Sequence, residues 1–339
     1  MKAAVLHGVR DIRIQTVPDP VCAPHGVIVK VNACGVCGSD LHWYKENGHE
    51  GAIFGHEFSG DIVEVGKNVQ GIAAGTRCTA VGFSPCGKCF WCKQGKMHRC
   101  SDMALLGYQF PGAMAEYVHV PFAIPGRSVF PLPEELSYED GASVEPLSIS
   151  CFSVNRGQPK PSDIVAVIGL GVIGLYAVQI LKALGVEKVL AAGRRPSRLA
   201  AAKRFGAHPV IDAAAEDTLQ AVMQATDQLG VNTVLECAGN QTTFDQAVAM
   251  ARGGGKILLV GIYEEALHWQ PLSVIGKNLT LVGCLGGNFP AVIELLKTKK
   301  VSTENIVSHR FGLDQAAEAF RAQLQDPAAV KVMIMPQER

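Results

Sequence analysis

Short apolar runs, broken by glycine, proline and asparagine, fill the first 150 residues of the chain. Many of these runs alternate in part between apolar and polar side chains, which is the period of a strand with one buried face. The runs are Lys2–Leu6, Ile12–Val17, Val27–Val31, Asp61–Val65 and Ala115–Val120. The pattern predicts an irregular β-rich domain over residues 1–150.

From about Pro161 the pattern changes to apolar strands that alternate with helical stretches. The predicted elements are the strands Ile164–Ile168, Lys188–Ala192, Thr233–Glu236 and Lys256–Val260 and the helices Ile173–Leu184, Ser197–Phe205 and Phe244–Ala251. This alternation is typical of an α/β domain with a doubly wound parallel sheet, predicted here over residues 151–284. A tail over residues 285–339 has the predicted helices Ala291–Lys297 and Asp314–Gln323 and the predicted strand Val330–Met335.

Composition limits the classes of function. Lys+Arg and Asp+Glu both number 31, so no basic excess favours a nucleic-acid or membrane partner. The first residues contain no apolar run of the length that a secretory signal needs. The apolar stretch from Ile164 to Leu181 contains three glycines and is interpreted as a buried strand turning into a helix. We therefore expect a cytoplasmic protein, in which closely spaced cysteines indicate metal rather than disulfides.

A glycine fingerprint follows the first strand of the α/β segment directly and opens a helix. Its residues are Gly169, Leu170, Gly171, Val172, Ile173 and Gly174. In this context the glycines allow a tight turn, close approach of the backbone to a pyrophosphate, and close packing of helix on strand. The free N–H groups of the helix N-terminus add a favourable site for phosphate. The segment is predicted to bind a dinucleotide.

The end of the second strand bears on which dinucleotide is bound. An NAD-binding chain places an acid there to accept hydrogen bonds from the ribose. This chain has Gly193, Arg194 and Arg195 instead, with Arg198 one turn later. Glycine leaves room for a 2′-phosphate and guanidinium groups can bind it, so NADP(H) is favoured over NAD(H). The alternative is a solvated basic turn. Further candidate cofactor-binding residues, at the ends of later strands, are Cys237, Val260 and Gly261.

Four cysteines form the most specific pattern in the chain: Cys86, Cys89, Cys92 and Cys100. Four thiolates this close suit a tetrahedral structural zinc. The alternative is an iron–sulfur cluster, whose bacterial run also begins with two C-x2-C steps. That run places its fourth cysteine after three residues and before a proline. Here seven residues intervene and Ser101 follows, so zinc is favoured.

A second metal site is assembled from separated residues: Cys37, His56, Glu57 and Glu145. A catalytic zinc takes about three protein ligands and keeps one position open, and thiolate, imidazole and carboxylate meet that need. Each residue also has a simpler interpretation. Cys37 can be a core thiol, His56 a hydrogen-bonded core histidine, and Glu145 a surface acid before a proline.

These residues carry a resemblance to a known family. The chain resembles the zinc-containing medium-chain dehydrogenases over essentially its full length, most closely their sorbitol (polyol) dehydrogenase-like branch. The matching motifs are GVCGSDLH at 35–42, GHEFSG at 55–60, the cysteine run at 86–100, VEPLS at 144–148, GLGVIG at 169–174 and HRF at 309–311.

The resemblance implies a GroES-like catalytic domain, formed by residues 1–150 and the tail 285–339, with a Rossmann domain inserted at 151–284. It implies a catalytic zinc at Cys37, His56 and Glu145, bound by this last acid directly or through water, and Glu57 either as a ligand or at the edge of the site. Neighbouring strand residues point to opposite faces, so joint ligation by His56 and Glu57 requires a locally irregular backbone. A homodimer or homotetramer is expected by analogy.

The implied reaction is hydride transfer between an alcohol carbon and the nicotinamide. Zinc lowers the pKa of the alcohol hydroxyl, and the released proton needs a route to solvent. Ser39 is the candidate acceptor and His42 the candidate relay, a role that suits the pKa of histidine. The alternatives are a turn hydroxyl for Ser39 and a residue on a helix surface for His42.

Two departures from the sorbitol dehydrogenases affect the substrate and the cofactor. Those enzymes carry an Arg–Tyr pair that contacts the polyol, and the matching stretch Gly283–Pro290 has neither residue. The ribose-binding acid is also replaced. The predicted substrate is therefore a secondary alcohol or polyol, or the matching ketone, with NADP(H). Aromatic candidates for the pocket are Trp43, Tyr44, Phe54 and Tyr108, although aromatic residues are as often part of a core.

Two other functions are kept as alternatives. The first is an NAD-dependent sugar-alcohol or sugar-acid dehydrogenase of the same family. The second, of another class, is a non-catalytic protein that binds a dinucleotide and zinc. The full set of catalytic candidates is Cys37, Ser39, His42, His56 and Glu145. Because a zinc-free quinone or enoyl reductase would lack this set, catalysis is favoured.

Overall fold

The structure, a computed structural model, describes residues 1–46 and 48–337, and the chain divides into two compact units. The first unit comprises residues 1–145, 289–297 and those from Val307 onwards; the second comprises 146–288 and 298–306. The sequence placed boundaries after residues 150 and 284, and the structure divides the chain after residues 145 and 288. Residues 298–306 group with the second unit instead of with the rest of the tail.

The N-terminal elements are mostly short strands. They are β1 (Lys2–Gly8), β2 (Asp11–Thr16), β3 (Val27–Gly35), α1 (Gly38–Tyr44), β4 (Glu57–Val65), β5 (Arg77–Ala80), β6 (Phe83–Ser84), α2 (Phe90–Lys93), β7 (Ala104–Leu105), β8 (Tyr117–Val120), β9 (Val129–Pro131) and α3 (Tyr138–Gly157).

The second unit alternates strands and helices. Its elements after α3 are β10 (Ile164–Ile168), α4 (Val172–Ala183), β11 (Lys188–Gly193), α5 (Pro196–Arg204), β12 (Val210–Asp212), α6 (Thr218–Ala225), β13 (Val231–Glu236), α7 (Gln241–Met250), β14 (Ala251–Leu259), α8 (Leu272–Gly276) and β15 (Thr280–Gly283). The tail adds α9 (Phe289–Lys297), β16 (Val307–Gly312), α10 (Ala316–Gln325) and β17 (Lys331–Met335).

The sheet of the second unit has the order β12-β11-β10-β13-β14-β15, and its neighbouring strands pair in parallel. This is the strand order of the Rossmann fold, so the predicted doubly wound sheet is confirmed. The order reverses between β10 and β13. Ligands of such sheets bind outside the carboxyl ends of the strands at this switch point.

The main sheet of the first unit has the order β16-β17-β3-β4-β5-β9, with β8 also on β3. Strand β17 from the tail pairs antiparallel with β3, where Met333 faces Gly35 and Ile334 faces Cys34. The core on this sheet joins N-terminal side chains such as Phe58 and Ile62 to Phe320 of α10. The tail is thus an interior part of the first unit.

Helix α3 was missed by the sequence analysis, which extended the β-rich pattern through residue 150. Its interior contains Pro146, which cannot donate a backbone hydrogen bond and argues against a helix in the sequence. The helix forms because its small residues permit close packing: a Cβ on Gly141 would lie 2.7 Å from Cβ of Ser59. Buried serines such as Ser153, which donates to Ile149 O at 2.7 Å, satisfy their hydroxyls along the helix.

No helix in the described part of the chain has both the length and the apolar character needed to cross a membrane.

Candidate functional site

The four cysteines of the predicted structural zinc site lie together. The Sγ atoms of Cys86, Cys89, Cys92 and Cys100 are all within 4.8 Å of one another. Backbone N–H groups point into the cluster: those of Cys86 and Asp102 donate to Cys100 Sγ at 3.3 and 3.4 Å. Backbone N–H groups also lower the pKa of the Cys89 thiol, which favours the thiolate. Four clustered sulfurs, some already supplied with N–H donors, fit a zinc with closed coordination.

The second candidate site lies where β3 ends and β4 begins. Cys37 precedes α1, and Glu57 is the first residue of β4, paired with Gly35 on β3. Single ligand atoms of Cys37, His56 and Glu57 lie within 4.8 Å of one another. His56 stands just before β4 and follows Gly55, whose φ is +103°. This left-handed turn is the local irregularity that lets two consecutive side chains reach one site.

Asp40 lies beside the imidazole of His56 and was not predicted from the sequence. Its Oδ1 lies 3.6 Å from His56 Nδ1, and its Oδ2 accepts a hydrogen bond from Cys37 N at 3.0 Å. Among the described residues, His56 Nδ1 has no hydrogen-bond partner. A carboxylate behind a metal-binding histidine is the usual arrangement that fixes the ring. The Cys37-x-x-Asp40 spacing, that of a helix cap, is the signal that could have revealed it.

The charges of this cluster are strongly coupled. Burial raises the pKa of the Asp40 carboxyl. Burial alone would lower the pKa of His56, but the nearby Cys37 and Asp40 raise it well above its usual value. Thiol, imidazole and carboxylate crowded together suit a divalent cation, which would neutralise the thiolate and carboxylate charge. The donor set therefore fits zinc.

Lys331, on β17 of the tail, is a second residue that the sequence analysis missed. Its ammonium group is buried, forms an ion pair with the equally buried Glu57 and donates to Val36 O at 3.0 Å. Burial would lower the pKa of Lys331, but Glu57 and Cys37 raise it above its usual value, so the lysine stays charged. The carboxylate of Glu57 is thus held by a cation of the protein itself. A lysine in an apolar strand pattern gives no sign of this role.

Glu145, on α3 immediately before Pro146, is outside the close cluster of ligand atoms but near it. Burial raises the pKa of its carboxyl to about 7, although the positive charge of His56 acts in the opposite direction. Glu57 and Lys331 also influence its titration. The structure therefore brings Glu145 into the electrostatic environment of Cys37, His56 and Glu57.

The candidate proton route lies on α1. Ser39 Oγ is 3.3 Å from Cys37 Sγ, and its helix also carries the partly exposed His42, whose Nε2 is 3.3 Å from Glu46 Oε1. Tyr108, predicted only as an aromatic residue of the pocket, adds a hydroxyl. This hydroxyl is 3.5 Å from Asp40 Oδ1, and burial raises its pKa.

A cavity of about 310 Å³ lies beside these groups in the first unit. Trp43 and Tyr108 line it, with ring centroids 4.6 Å apart, and His49 and Phe110 also contribute. Tyr44 and Phe54, the other aromatic candidates, do not line this cavity. They are core residues: Tyr44 is 2% and Phe54 1% exposed, and both rings pack near Phe320.

The glycine fingerprint has the geometry that a dinucleotide site requires. Gly169 has a φ of +93°, and a Cβ on it would lie 2.7 Å from Ala238 N. A Cβ on Gly174 would lie 2.1 Å from Gly169 O, so this glycine allows α4 to pack on the turn. Gly171, before Val172 and Ile173 of the first helical turn, has no atom within 4 Å of such a Cβ. Open space over a free helix N-terminus fits a pyrophosphate.

At the end of β11 the structure gives Gly193 a packing role. A Cβ there would lie 2.9–3.1 Å from three side-chain atoms of Leu170. Arg194 is exposed, whereas Arg195 and Arg198 are half-buried at the start of α5. Burial, together with the positive charge of Arg195, lowers the pKa of Arg198 to about 10. Two guanidinium groups thus lie close enough to repel each other at this edge of the sheet.

The remaining cofactor candidates lie at the same edge. Cys237 N donates to Ile168 O at 2.8 Å, and the N–H groups of Val260 and Gly261 both donate to Glu236 O at 2.9 Å. The carboxyl ends of β10, β13 and β14 are thereby linked around the switch point.

Comparison with known proteins agrees with this geometry. Residues 23–134 match the family of alcohol dehydrogenase GroES-like domains, and residues 172–298 match the zinc-binding dehydrogenases. Sorbitol dehydrogenase of Bacillus subtilis (strain 168) is 35% identical over 350 residues, which cover 99% of this chain and 97% of that protein.

Two solved structures are similar over almost the whole chain. A protein from Sinorhizobium meliloti 1021 bound to NADP is 31% identical, with a TM-score of 0.89 and 99% of each chain covered. A short chain alcohol dehydrogenase from E. coli CFT073 complexed with NADH is 29% identical, with a TM-score of 0.90 and 99% of each chain covered.

Proposed function

We propose that this chain interconverts a secondary alcohol or polyol and its ketone with NADP(H). The chain belongs to the zinc-containing medium-chain dehydrogenases, in their sorbitol dehydrogenase-like branch. It is thus an oxidoreductase that acts on alcohol CH–OH groups. The observation that carries the proposal is the cluster of Cys37, His56 and Glu57 with Asp40 behind the imidazole. The chain therefore keeps the groups that catalysis needs, which argues against a protein that only binds.

The residues of the cluster would hold the catalytic zinc: Cys37 and His56 as ligands, with Glu57 or Glu145 supplying a carboxylate. When bound, zinc acts as a Lewis acid that lowers the pKa of the alcohol hydroxyl. Asp40 fixes the ring of His56. Lys331 pairs with Oε2 of Glu57 and offsets part of its charge, while the raised pKa of Glu145 reflects its burial near the same cluster, so both acids stay candidates.

The side chains of α1 move the proton. Ser39 accepts the proton of the alcohol and passes it towards the partly exposed His42, whose Nε2 lies 3.3 Å from Glu46 Oε1. If this route operates, Ser39→Ala should lower kcat by roughly 10²–10⁴-fold, the range for general acid–base groups, with little change in cofactor affinity. Turnover near that of the unmodified enzyme would show that the proton leaves by another route.

The cavity beside α1 supports a small, partly polar substrate. Trp43 and Tyr108 give it flat apolar walls, while His49 and the Tyr108 hydroxyl offer hydrogen bonds. A turnover panel of polyols, short secondary alcohols and ketones, each with NAD(H) and NADP(H), tests the proposal. The absence of turnover across the panel, with both metals present and cofactor bound, would favour the binding-only alternative.

The preference for NADP(H) is supported by Arg195 and Arg198. Two adjacent guanidinium groups at the end of β11 gain from an anion between them, and a charged hydrogen bond contributes roughly 1.5–3 kcal/mol. Arg198→Ala should therefore lower kcat/KM for NADPH about ten- to a hundredfold relative to NADH. Lys203→Ala, which removes an exposed charge farther along α5, is the matched control.

The NAD-dependent alternative has support of its own. Leu170 packs against Gly193, which explains the glycine without any phosphate, and one similar structure contains NADH. The decisive measurement is kcat/KM for both cofactors on the unmodified enzyme. Equal values, or a preference for NADH, would contradict the role proposed for the two arginines.

Two zinc ions per chain are proposed from the two clusters. Metal analysis should find about two, and Cys89→Ser should lower stability because a structural zinc contributes directly to folding. His56→Ala should abolish turnover while the fold persists. Iron with visible absorbance would contradict the zinc assignment of the four-cysteine cluster.

A homodimer or homotetramer is proposed with support from the second unit. Large apolar side chains are exposed near its β15 end: Ile262, Trp269, Leu272 and Ile275 are 45–67% exposed. Strand β15 is also an edge of its sheet in the described chain. Light scattering should find an oligomer that Ile275→Asp dissociates. Leu229→Asp, at an equally exposed position elsewhere in the unit, should leave it intact.

A further inference from the structure

A buried carboxylate lies at the carboxyl edge of the second unit's sheet. Glu236 ends β13 and has no solvent exposure. Its carboxylate accepts hydrogen bonds from Ala238 N at 2.8 Å, Gly239 N at 3.0 Å and Thr243 Oγ1 at 2.8 Å. The Tyr263 hydroxyl donates a fourth, and this contact raises the pKa of the tyrosine after the larger effect of burial. We call Glu236, Thr243 and Tyr263 the carboxylate knot.

The carboxylate knot connects two chain segments whose backbones are closely packed. A Cβ on Gly239 would lie 2.3 Å from Ile262 O, and a Cβ on Gly261 would lie 2.3 Å from Gly239 N. Segments 237–239 and 260–263 are therefore in direct backbone contact. Glu236 holds the first through backbone N–H groups and the second through the Tyr263 hydroxyl. Thr243, on α7, donates to the same carboxylate oxygen as the first segment, so loss of either hydroxyl loosens the carboxylate that joins the two segments.

The position of the knot along the sheet shows which part of a dinucleotide it supports. The fingerprint glycines follow β10, where the pyrophosphate lies in this fold. Strands β11 and β12 continue to one side, and β13, β14 and β15 to the other. A dinucleotide bound across the switch point has one half on each side. Arg195 and Arg198, the proposed adenosine-side anchors, follow β11, so the nicotinamide half runs over the ends of β13 and β14.

We propose that Glu236, Thr243 and Tyr263 are positioning residues for the nicotinamide half of the cofactor. They act through segments 237–239 and 260–263, whose backbone forms the surface beneath that half. This inference rests on the proposed function, because it assumes that the edge of the sheet binds a dinucleotide.

The test separates the two halves of the cofactor. On the zinc-loaded full chain, Kd is measured for the preferred reduced cofactor and for its adenosine fragment, 2′,5′-ADP for NADPH or ADP for NADH. Tyr263→Phe and Thr243→Val should each weaken the whole cofactor about two- to tenfold, the factor expected for one hydrogen bond, and leave the fragment unchanged. Both variants should also lower kcat for a fixed alcohol.

Thr226→Val is the matched control. The buried Thr226 hydroxyl also makes side-chain hydrogen bonds: it donates to Val222 O at 2.8 Å and accepts from Gly230 N at 3.1 Å, before the other end of β13. Its loss should lower the melting temperature without changing the ratio of the two Kd values. If Tyr263→Phe does not fold, Thr243→Val gives the same readout.

The possible failures differ. If the unmodified chain binds neither NADPH nor NADH, the proposed function fails and the inference with it. If cofactor binds and neither knot variant changes the Kd ratio, or Thr226→Val changes it equally, the proposed function stands and the positioning role is overturned.

Discussion

At the scale of single residues, the buried pair of Lys331 and Glu57 has the clearest energetic consequence. Removing one partner of a buried ion pair leaves an uncompensated charge, which costs about 3–5 kcal/mol. Lys331→Met should therefore lower the free energy of unfolding by about that amount, measured by urea denaturation. Because the double variant Lys331→Met/Glu57→Gln leaves no charge unpaired, it should recover most of the loss. A single variant as stable as the unmodified protein would show that Glu57 finds another cation.

Replacing Asp40 should change zinc affinity much more than the stability of the fold. If its carboxylate orients His56, Asp40→Asn should weaken zinc binding at the cluster about 10- to 100-fold, the usual cost of losing such a partner. The measurement is competition with a chelator. Asp61→Asn, at an acid of the same unit that binds Tyr138 and Asn32, is the control and should leave zinc affinity unchanged. Equal losses in both variants would contradict the orienting role.

Glu145 predicts a pH dependence for the metal-free protein. Its pKa is about 7 in the fold, above the usual 4.5 of a glutamate, so the folded state binds the proton more tightly. Stability from this group is complete below about pH 4.5 and is lost as the pH rises to about 7. After treatment with EDTA, the melting temperature of Glu145→Gln should fall less between pH 5 and 8 than that of the unmodified protein. Parallel curves would contradict the raised pKa.

The candidate site shows which residues a sequence can reveal. Cysteines and histidines stand out by type and spacing, and the glycines of the fingerprint by their position after an apolar strand. Asp40 and Lys331 do not, because their roles come from contacts that only the folded chain creates. Lys331 lies 274 residues from Glu57, and within its own strand nothing distinguishes it from a surface lysine.

At the scale of elements, the glycines in the turn between β10 and α4 have different roles. Some are required for packing, and one leaves space for a ligand. Gly174→Ala would place a methyl group 2.1 Å from Gly169 O, so it should destabilise the fold. Gly171→Ala meets no atom within 4 Å and fits a φ of −72°, so it should fold normally but bind the cofactor more weakly. Thermal melting and cofactor titration of both variants check this. Full cofactor affinity in Gly171→Ala would argue against close approach of a pyrophosphate.

Elements were predicted well where the apolar period was strong. The strand Ile164–Ile168 was predicted to the residue, and the helix after it was displaced by one residue at each end. Helix α3 was missed because close packing of small residues stabilises it, and such packing leaves no apolar period. The short strand β12 and the edge strand β15 were also missed, since three or four residues carry too little pattern.

At the scale of the whole molecule, the tail is a structural part of the first unit. Strand β17 lies between β16 and β3, and Phe320, Val332 and Ile334 belong to the core that it shares with Phe58. A chain ending after residue 306 should therefore lose the fold of the first unit while the second unit persists. Limited proteolysis should release a resistant fragment of about residues 146–306. Protection of residues 1–145 in the truncated chain would contradict this dependence.

The pairing of Lys331 with Glu57 also has a consequence for biosynthesis. A ribosome adds about 5–20 residues per second, so Glu57 emerges roughly 15–55 s before the lysine that neutralises it. For most of that interval β3 has its neighbours β4 and β8 but lacks β17, which has not yet been translated. The second unit, made in between, has all its strands and can fold meanwhile. The half of the protein that is translated first is therefore the half that matures last.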